Sequence, residues 1–302
     1  MSRLKLPSPK FPLTAPTWPG GVPRPARDRK VGLDYDHEWS RRYPVRLARA
    51  MVLDNVTRPL AHLVAPATVR GEEHLTHLEP PVIFAANHAS HVDTPLLLTT
   101  LPLRFRHRTV VAAASDYFFD RRWKAVLWSF SLAAIPIERS RVNRKSADTA
   151  AELLEDGWNL VIFPEGGRSP DGWTQPFRGG AAYLARRTRR PVVPVYVHGS
   201  RHVLPKAGSG SGAGRPIRRS PVAVLYGPAL TPAEGEDARR FGARIEAAVD
   251  ILADEVATDW WTARRRAAAG ETPSPRGPDA PSWRRAWALD AAPDTSRAAW
   301  PR

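Results

Sequence analysis

A histidine and an aspartate five positions apart, His88 and Asp93, are the first side chains in this sequence able to do chemistry together. They close the run Val82-Ile83-Phe84-Ala85-Ala86-Asn87-His88-Ala89-Ser90-His91-Val92-Asp93, in which an apolar strand-like stretch ends in a polar cluster. Open α/β sheets put their sites at such strand ends. A spacing of five does not stack two side chains on one helical face. The chain must therefore turn after His88 and begin a helix that returns the carboxylate of Asp93 to the ring. A carboxylate on one ring nitrogen fixes the tautomer and steadies the imidazolium, so the other nitrogen can take a proton. No serine is placed as a partnered nucleophile and cysteine is absent, which makes a substrate hydroxyl the group to deprotonate. That oxygen would attack an activated acyl carbonyl directly, without a covalent enzyme intermediate. Simpler readings stand beside this one. Asp93, ahead of Thr94 and Pro95, could cap a helix without touching His88, His88 could be a core histidine, and His91 competes for its role.

A second strand-like run ends in Phe163-Pro164-Glu165-Gly166-Gly167-Arg168-Ser169. Glycines there let backbone N–H groups approach an anion, and a guanidinium fork such as that of Arg168 grips phosphate. Glu165 could accept hydrogen bonds from a polyol; an ordinary glycine turn with a surface arginine is the plainer alternative. Ile135-Pro136-Ile137-Glu138-Arg139 is a third strand ending in a cation, where Arg139 is either a second phosphate ligand or a surface charge. Val192-Val193-Pro194-Val195 reads as core strand. His198 and His202 are four apart, but Gly199 lies between them and no carboxylate is near, which excludes a metal site on a helix.

These blocks need a sheet to hold them. Strand-like runs at 81–86, 109–113, 134–137, 159–163, 192–197 and 222–226 alternate with helical patterns at 94–101, 121–130, 146–155 and 180–187. The pattern predicts an α/β fold, a mixed and largely parallel sheet covered by helices. Ahead of it, apolar residues from Val45 to Val64 recur at helical spacings between arginines. They predict two short amphipathic helices, the second capped by Thr57 with Pro59 in its first turn. Such a pair can lie in a membrane interface or pack on the domain's own sheet. A last long helix is expected over 236–268, and 208–214 is a Gly/Ser-rich loop. Seven prolines and seven Lys/Arg against one acid make the first thirty residues a flexible basic tail. The division is thus 1–36 tail, 37–66 helical membrane-contact element, 67–269 α/β domain and 270–302 disordered tail.

With 302 residues and 42% hydrophobic content, the chain can bury one sizeable core. The charge of +15 draws it toward anionic lipid, phosphate-bearing substrates or nucleic acid. The N-terminus lacks an apolar signal region, and the longest apolar stretch of interest, 125–137, is too short to span a bilayer.

Taken in order, the four blocks resemble those of the glycerophospholipid acyltransferase family, whose best-known members are 1-acylglycerol-3-phosphate acyltransferases. Asn87, His88 and Asp93 are similar to its catalytic block, Ile137–Arg139 to its second, Phe163–Ser169 to its third and Val192–Val195 to its fourth. Gly167 stands where a threonine is commoner. The resemblance spans about 67–230. It implies transfer of an acyl group from acyl-CoA or acyl-carrier protein to the free hydroxyl of a lysophospholipid. His88 would be the base and Asp93 its orienter, with Arg139, Glu165, Gly166 and Arg168 on the glycerol-phosphate end. No metal or bound cofactor is implied. The expected setting is cytoplasmic, peripheral on the inner face of the cell membrane. The stretch 117–132 is expected to line an apolar tunnel for the acyl chain. A basic module binding membrane or nucleic acid without chemistry is the contrasting reading, but aromatics do not interleave with the basic runs of the core.

Overall fold

The computed structural model describes residues 32–138, 144–204 and 216–291, with the side chains of 282, 286, 287, 290 and 291 left aside. Seven strands form one sheet in the order β1-β7-β6-β2-β5-β3-β4. They are β1 (Ala67–Arg70), β2 (Ile83–Ala86), β3 (Thr109–Ala114), β4 (Ala134–Ile137), β5 (Asn159–Ile162), β6 (Val192–His198) and β7 (Val222–Tyr226). All neighbours run parallel except β6 and β7, which pair Val195 with Tyr226 in antiparallel register. The sheet is therefore mixed and largely parallel, in agreement with the alternating pattern. Strand β1 is an addition that its short, half-polar Ala-Thr-Val-Arg run does not announce.

Side chains alternate across a strand, and β2 feeds both sides of the sheet accordingly. Phe84 and Ala86 join Leu96, Phe105, Val193 and Tyr226 on one face. Ile83 and Ala85 join Leu160, Ile162, Leu184 and Phe241 on the other. With both faces covered, β2 and β5 are buried along their whole length. The polar loops after them can leave only at the strand ends.

The N-terminal helices differ from expectation. Helix α1 (Tyr43–Val52) and helix α2 (Arg58–Val64) are joined without a break by a π-helical turn, Leu53–Thr57. Thr57 is helical and makes no capping bond; the Arg58 N–H reaches back to the Leu53 carbonyl. A proline in a helix interior has no N–H to give, and a wider turn ahead of Pro59 accommodates that gap while the chain stays helical. Residues 32–36, expected to belong to the tail, are also packed. Gly32 N–H donates to Phe119 O at 3.0 Å, and the ring of Tyr35 lies 5.7 Å from that of Phe119.

Helix α3 (Asp93–Thr100) leaves the β2 end, and α4 (Arg122–Leu132), α5 (Arg144–Glu155) and α6 (Gly180–Thr188) complete the covering layers. The long C-terminal helix is two helices, α7 (Ala238–Ala257) and α8 (Trp260–Ala269). Asp259 divides them, because its carboxylate accepts from Thr262 N–H at 2.9 Å and starts a new helix as an N-cap. The tail expected to be disordered from 270 is instead ordered as far as 291 and ends in α9 (Ser282–Ala291). The 208–214 loop lies outside the described residues.

Candidate functional site

The β2 strand ends at Ala86, and Asn87 anchors the loop after it. Asn87 donates through Nδ2 to Val197 O at 3.0 Å and accepts at Oδ1 from Val197 N–H at 2.7 Å. This buried side chain pins the loop to β6. The chain then turns as the spacing of His88 and Asp93 requires. One oxygen of Asp93, Oδ2, lies 2.9 Å from His88 Nδ1 and accepts the backbone N–H groups of Ala89 and Ser90, each at 2.8 Å. Asp93 is fully buried. It is the first residue of α3, whose N-cap is Val92 without a side-chain capping bond, so its carboxylate meets the ring and organises the preceding turn rather than capping the helix. The Nδ1 atom of His88 faces Asp93, and His88 lines a cavity. Phe163 fixes the ring plane, stacking on the imidazole at 4.1 Å between centroids.

Glu165 takes a different task from the one its loop suggests. Its Oε1 accepts His88 N–H at 2.9 Å and its Oε2 accepts Gln175 N–H at 3.1 Å. Both oxygens are engaged by the protein's own backbone, so the carboxyl ties the β2 loop to the β5 loop. Burial, against the pull of the two N–H donors, pushes it up to about 8. Ser169 adds a second tie, its N–H donating to His88 O at 2.9 Å.

Gly166 is likewise structural. It has φ +77, and its N–H is used in the turn, donating to Phe163 O at 3.0 Å. A Cβ there would lie 2.8 Å from Arg178 Nε, so glycine lets that side chain cross the loop. Arg168 is half-buried, and its charge helps hold His91 down at about 4, after burial as the larger cause. His91 accordingly stays neutral at physiological pH. It stacks on Tyr117 at 5.5 Å, and the ring-facing oxygen of Asp93 goes to His88 rather than to it. Arg139 lies outside the described residues; β4 and Glu138 end just before it.

A cavity of about 460 Å³ opens against Asn87, His88 and Glu165. Its lining continues through Trp173, Tyr196 and Val197 to residues of the C-terminal third. Residues 117–132 do not line it. Trp123, Val126 and Leu127 of that stretch point outward instead, which corrects the expected tunnel wall. Among the described residues no three His, Asp or Glu side chains could hold a metal ion. The residues that sequence reasoning missed are Phe163, Gln175, Trp173 and the clamping role of Asn87. Each acts through a partner distant in sequence, which no local spacing signals.

A family model described as acyltransferase matches residues 66–198. The chain is 28% identical over 146 residues to a chloroplastic 1-acyl-sn-glycerol-3-phosphate acyltransferase of Brassica napus, covering 47% of this chain and 40% of that one. It is 30% identical over 128 residues to the human 1-acyl-sn-glycerol-3-phosphate acyltransferase beta, covering 42% and 44%. The chain thus spans about half the length, or less, of the curated relatives it matches. Among solved structures, the 1-acyl-sn-glycerophosphate acyltransferase PlsC of Thermotoga maritima aligns with a TM-score of 0.52. That alignment covers 73% of this chain and 83% of that one at 24% identity, a likeness of fold.

Proposed function

We propose that the chain is a glycerophospholipid acyltransferase, in keeping with the acyltransferase match over residues 66–198 and with its 1-acylglycerol-3-phosphate acyltransferase relatives, and that it acylates the free hydroxyl of a 1-acylglycerol 3-phosphate. The observation that carries this reading is the Asp93–His88 pair, 2.9 Å apart, with His88 lining an open cavity. Asp93 keeps the proton on Nδ1, so Nε2 holds the lone pair that accepts the acceptor's hydroxyl proton. The alkoxide-like oxygen attacks the thioester carbonyl of acyl-CoA or acyl-carrier protein. The C–S bond of the resulting tetrahedral species breaks, and the departing thiolate takes the proton back from the imidazolium. Atoms balance with no covalent acyl-enzyme. Arg168, with Arg139 from the neighbouring block, grips the acceptor phosphate, and Glu165 and Gly166 shape the loop that carries Arg168. A fixed geometry of this kind lowers the entropic part of the barrier.

The same reading includes a peripheral membrane site. No helix among the described residues is long and apolar enough to cross a membrane. The α1–α2 helix nevertheless turns Tyr43, Leu47, Met51, Val56, Leu60 and Leu63 to solvent, while Arg49 and Leu53 face inward. An outward apolar stripe on a chain of charge +15 fits the interface of an anionic bilayer such as a cytoplasmic leaflet. Lysophospholipid acceptors reside in that layer.

The test is transfer from labelled acyl-CoA or acyl-carrier protein to 1-acylglycerol 3-phosphate presented in anionic vesicles. Labelled phosphatidic acid is the expected product. Absence of transfer to this acceptor, with label appearing on another lysolipid, would move the acceptor. Absence of transfer to every acceptor would remove the catalytic reading and leave a basic lipid-binding module.

A further inference from the structure

The cavity beside His88 is not built from the acyltransferase-matched region alone. Its lining includes Ala253, Val256, Ala257, Pro273, Pro275 and Leu289, all beyond residue 198 where the family match ends. The segment 271–291 reaches the cavity by strapping across the loop after Ser169. Arg285 Nε meets Asp171 Oδ2 at 2.7 Å, and Trp173 Nε1–H donates to Arg285 O at 3.0 Å. Thr174 N–H donates to Pro275 O at 3.2 Å, and Arg276 pairs with Glu246 on α7. Gly172, at φ +94, marks the closest approach: a Cβ there would lie 2.4 Å from both Leu289 Cδ2 and Arg201 Nη1. The strap is thus joined to the same loop whose Ser169 and Gln175 N–H groups hold His88 and Glu165 in place.

β2, the strand that leads into His88, has β5 and β6 as its neighbours in the sheet. The cavity lies against both: Glu165, Ser169 and Trp173 of the loop after β5 line it, as do Tyr196, Val197 and His198 of β6. The polar groups in the cavity lining include His198, Arg201, His202 and Arg266, the last held by Asp254 at 2.7 Å. The remaining lining mixes polar residues, Ser169, Thr174, Thr258 and Ser274 among them, with aromatic, aliphatic and proline side chains that supply most of its exposed area and give an unbranched chain apolar contact.

We propose that residues 271–291 form a chain-length wall of the active site, with Leu289 and Trp173 bounding the space open to an acyl chain. This rests on the acyl-transfer reading and extends it to the part of the chain outside the family match. A full wall of protein stops the gain in affinity that each added methylene brings when it has apolar surface to meet. Until the wall is reached, that gain is about fourfold per methylene.

The experiment titrates the full-length protein with non-reactive thioether analogues of acyl-CoA carrying saturated chains of increasing length. Four variants accompany it: Leu289→Trp, Leu289→Ala, Trp173→Ala and a chain ending at Gly270. In the wild type, affinity rises with length and then stops rising. Leu289→Trp moves that limit to shorter chains, Leu289→Ala and Trp173→Ala move it to longer ones, and the truncated chain loses it. Thermal unfolding of each variant is measured alongside, and if the truncated chain fails to fold the three point variants decide. A length profile that is the same in the wild type and the point variants overturns the proposal. The binding readout is independent of turnover, so a shifted profile in a protein that transfers no acyl group would sink the acyl-transfer reading and not the wall. Repeating the series in the transfer assay, first varying the donor chain and then the lysophospholipid chain, identifies which of the two occupies the cavity by which profile Leu289→Trp shifts.

Discussion

The His88 loop and the α1–α2 helix handle polarity in opposite ways. Around His88 the polar side chains are turned inward and bound to the protein. Asp93 is fully buried, one of its oxygens takes three donors, and Glu165 spends both of its oxygens on backbone N–H groups. On the helix the order is inverted: Arg49 is buried and donates to Ser40 O at 2.8 Å, while Met51 and Leu63 are 61% and 64% exposed. A loop whose buried carboxylates hold the protein's own N–H donors is built for fixed geometry, even though Asp93 Oδ1 is buried without a hydrogen-bond partner. An apolar stripe left in water does nothing for the stability of this chain alone and signals a surface that something else covers. Substitutions in the two regions should therefore fail in different assays.

The largest effect is expected at the orienting carboxylate. Asp93→Asn keeps the shape but offers the ring an amide, which can stabilise the wrong tautomer; kcat should fall by about 10²–10⁴, the range ascribed to general base catalysis. KM for the acceptor should change little, and a variant whose kcat stays within a few-fold of wild type would break the assignment. Next comes the helix. Replacing Leu47, Met51 and Leu60 together by Glu removes anchors worth ~1.5–3 kcal/mol each when fully buried. Co-sedimentation with anionic vesicles should drop by about 100-fold or more, with the unfolding midpoint nearly unchanged. Retained sedimentation would mean that the stripe is covered by something other than lipid. A smaller effect is expected from salt: raising ionic strength should weaken vesicle binding of the wild type while leaving turnover on a short-chain soluble acceptor alone. The smallest is a slope. The folded-state value of Glu165, about 8, lies above its ordinary 4.5, so the folded protein holds this proton more tightly than the unfolded one. The associated stability is present below about pH 4.5 and is lost as pH rises toward 8. Glu165→Gln should flatten the fall in unfolding free energy between those limits relative to wild type, and an identical slope in both proteins would contradict it.

The sheet and the His88–Asp93 turn are legible in the sequence because both are local. Buried strands in a parallel sheet are short apolar runs, and a histidine, an aspartate and a helix start within six residues leave few ways to turn. The hidden features depend on distance. Glu165 and His88 are 77 residues apart, and Arg285 and Asp171 are 114 apart, so neither the true partner of the carboxyl nor the ordering of the C-terminal segment can be read from composition. The Pro, Arg and Ala content of that segment looks disordered in isolation; it is ordered by Asp171 and Trp173, which tie it down. The N-terminal pair reads as two helices because Thr57-Arg58-Pro59 carries a start signal, and the π turn that overrides it has no spacing signature. Asp259 is the converse case, a capping aspartate inside an apolar periodicity that reads as continuous.

The most direct measurement compares the rate of labelled phosphatidic acid formation by wild type and by His88→Ala, each shown to be folded by its unfolding midpoint. A fall of about 10³-fold or more with an unchanged midpoint is the result expected of a base that takes the acceptor's proton. Activity that survives the substitution would contradict the central claim and pass the role of base to another group, with His91 the first to test.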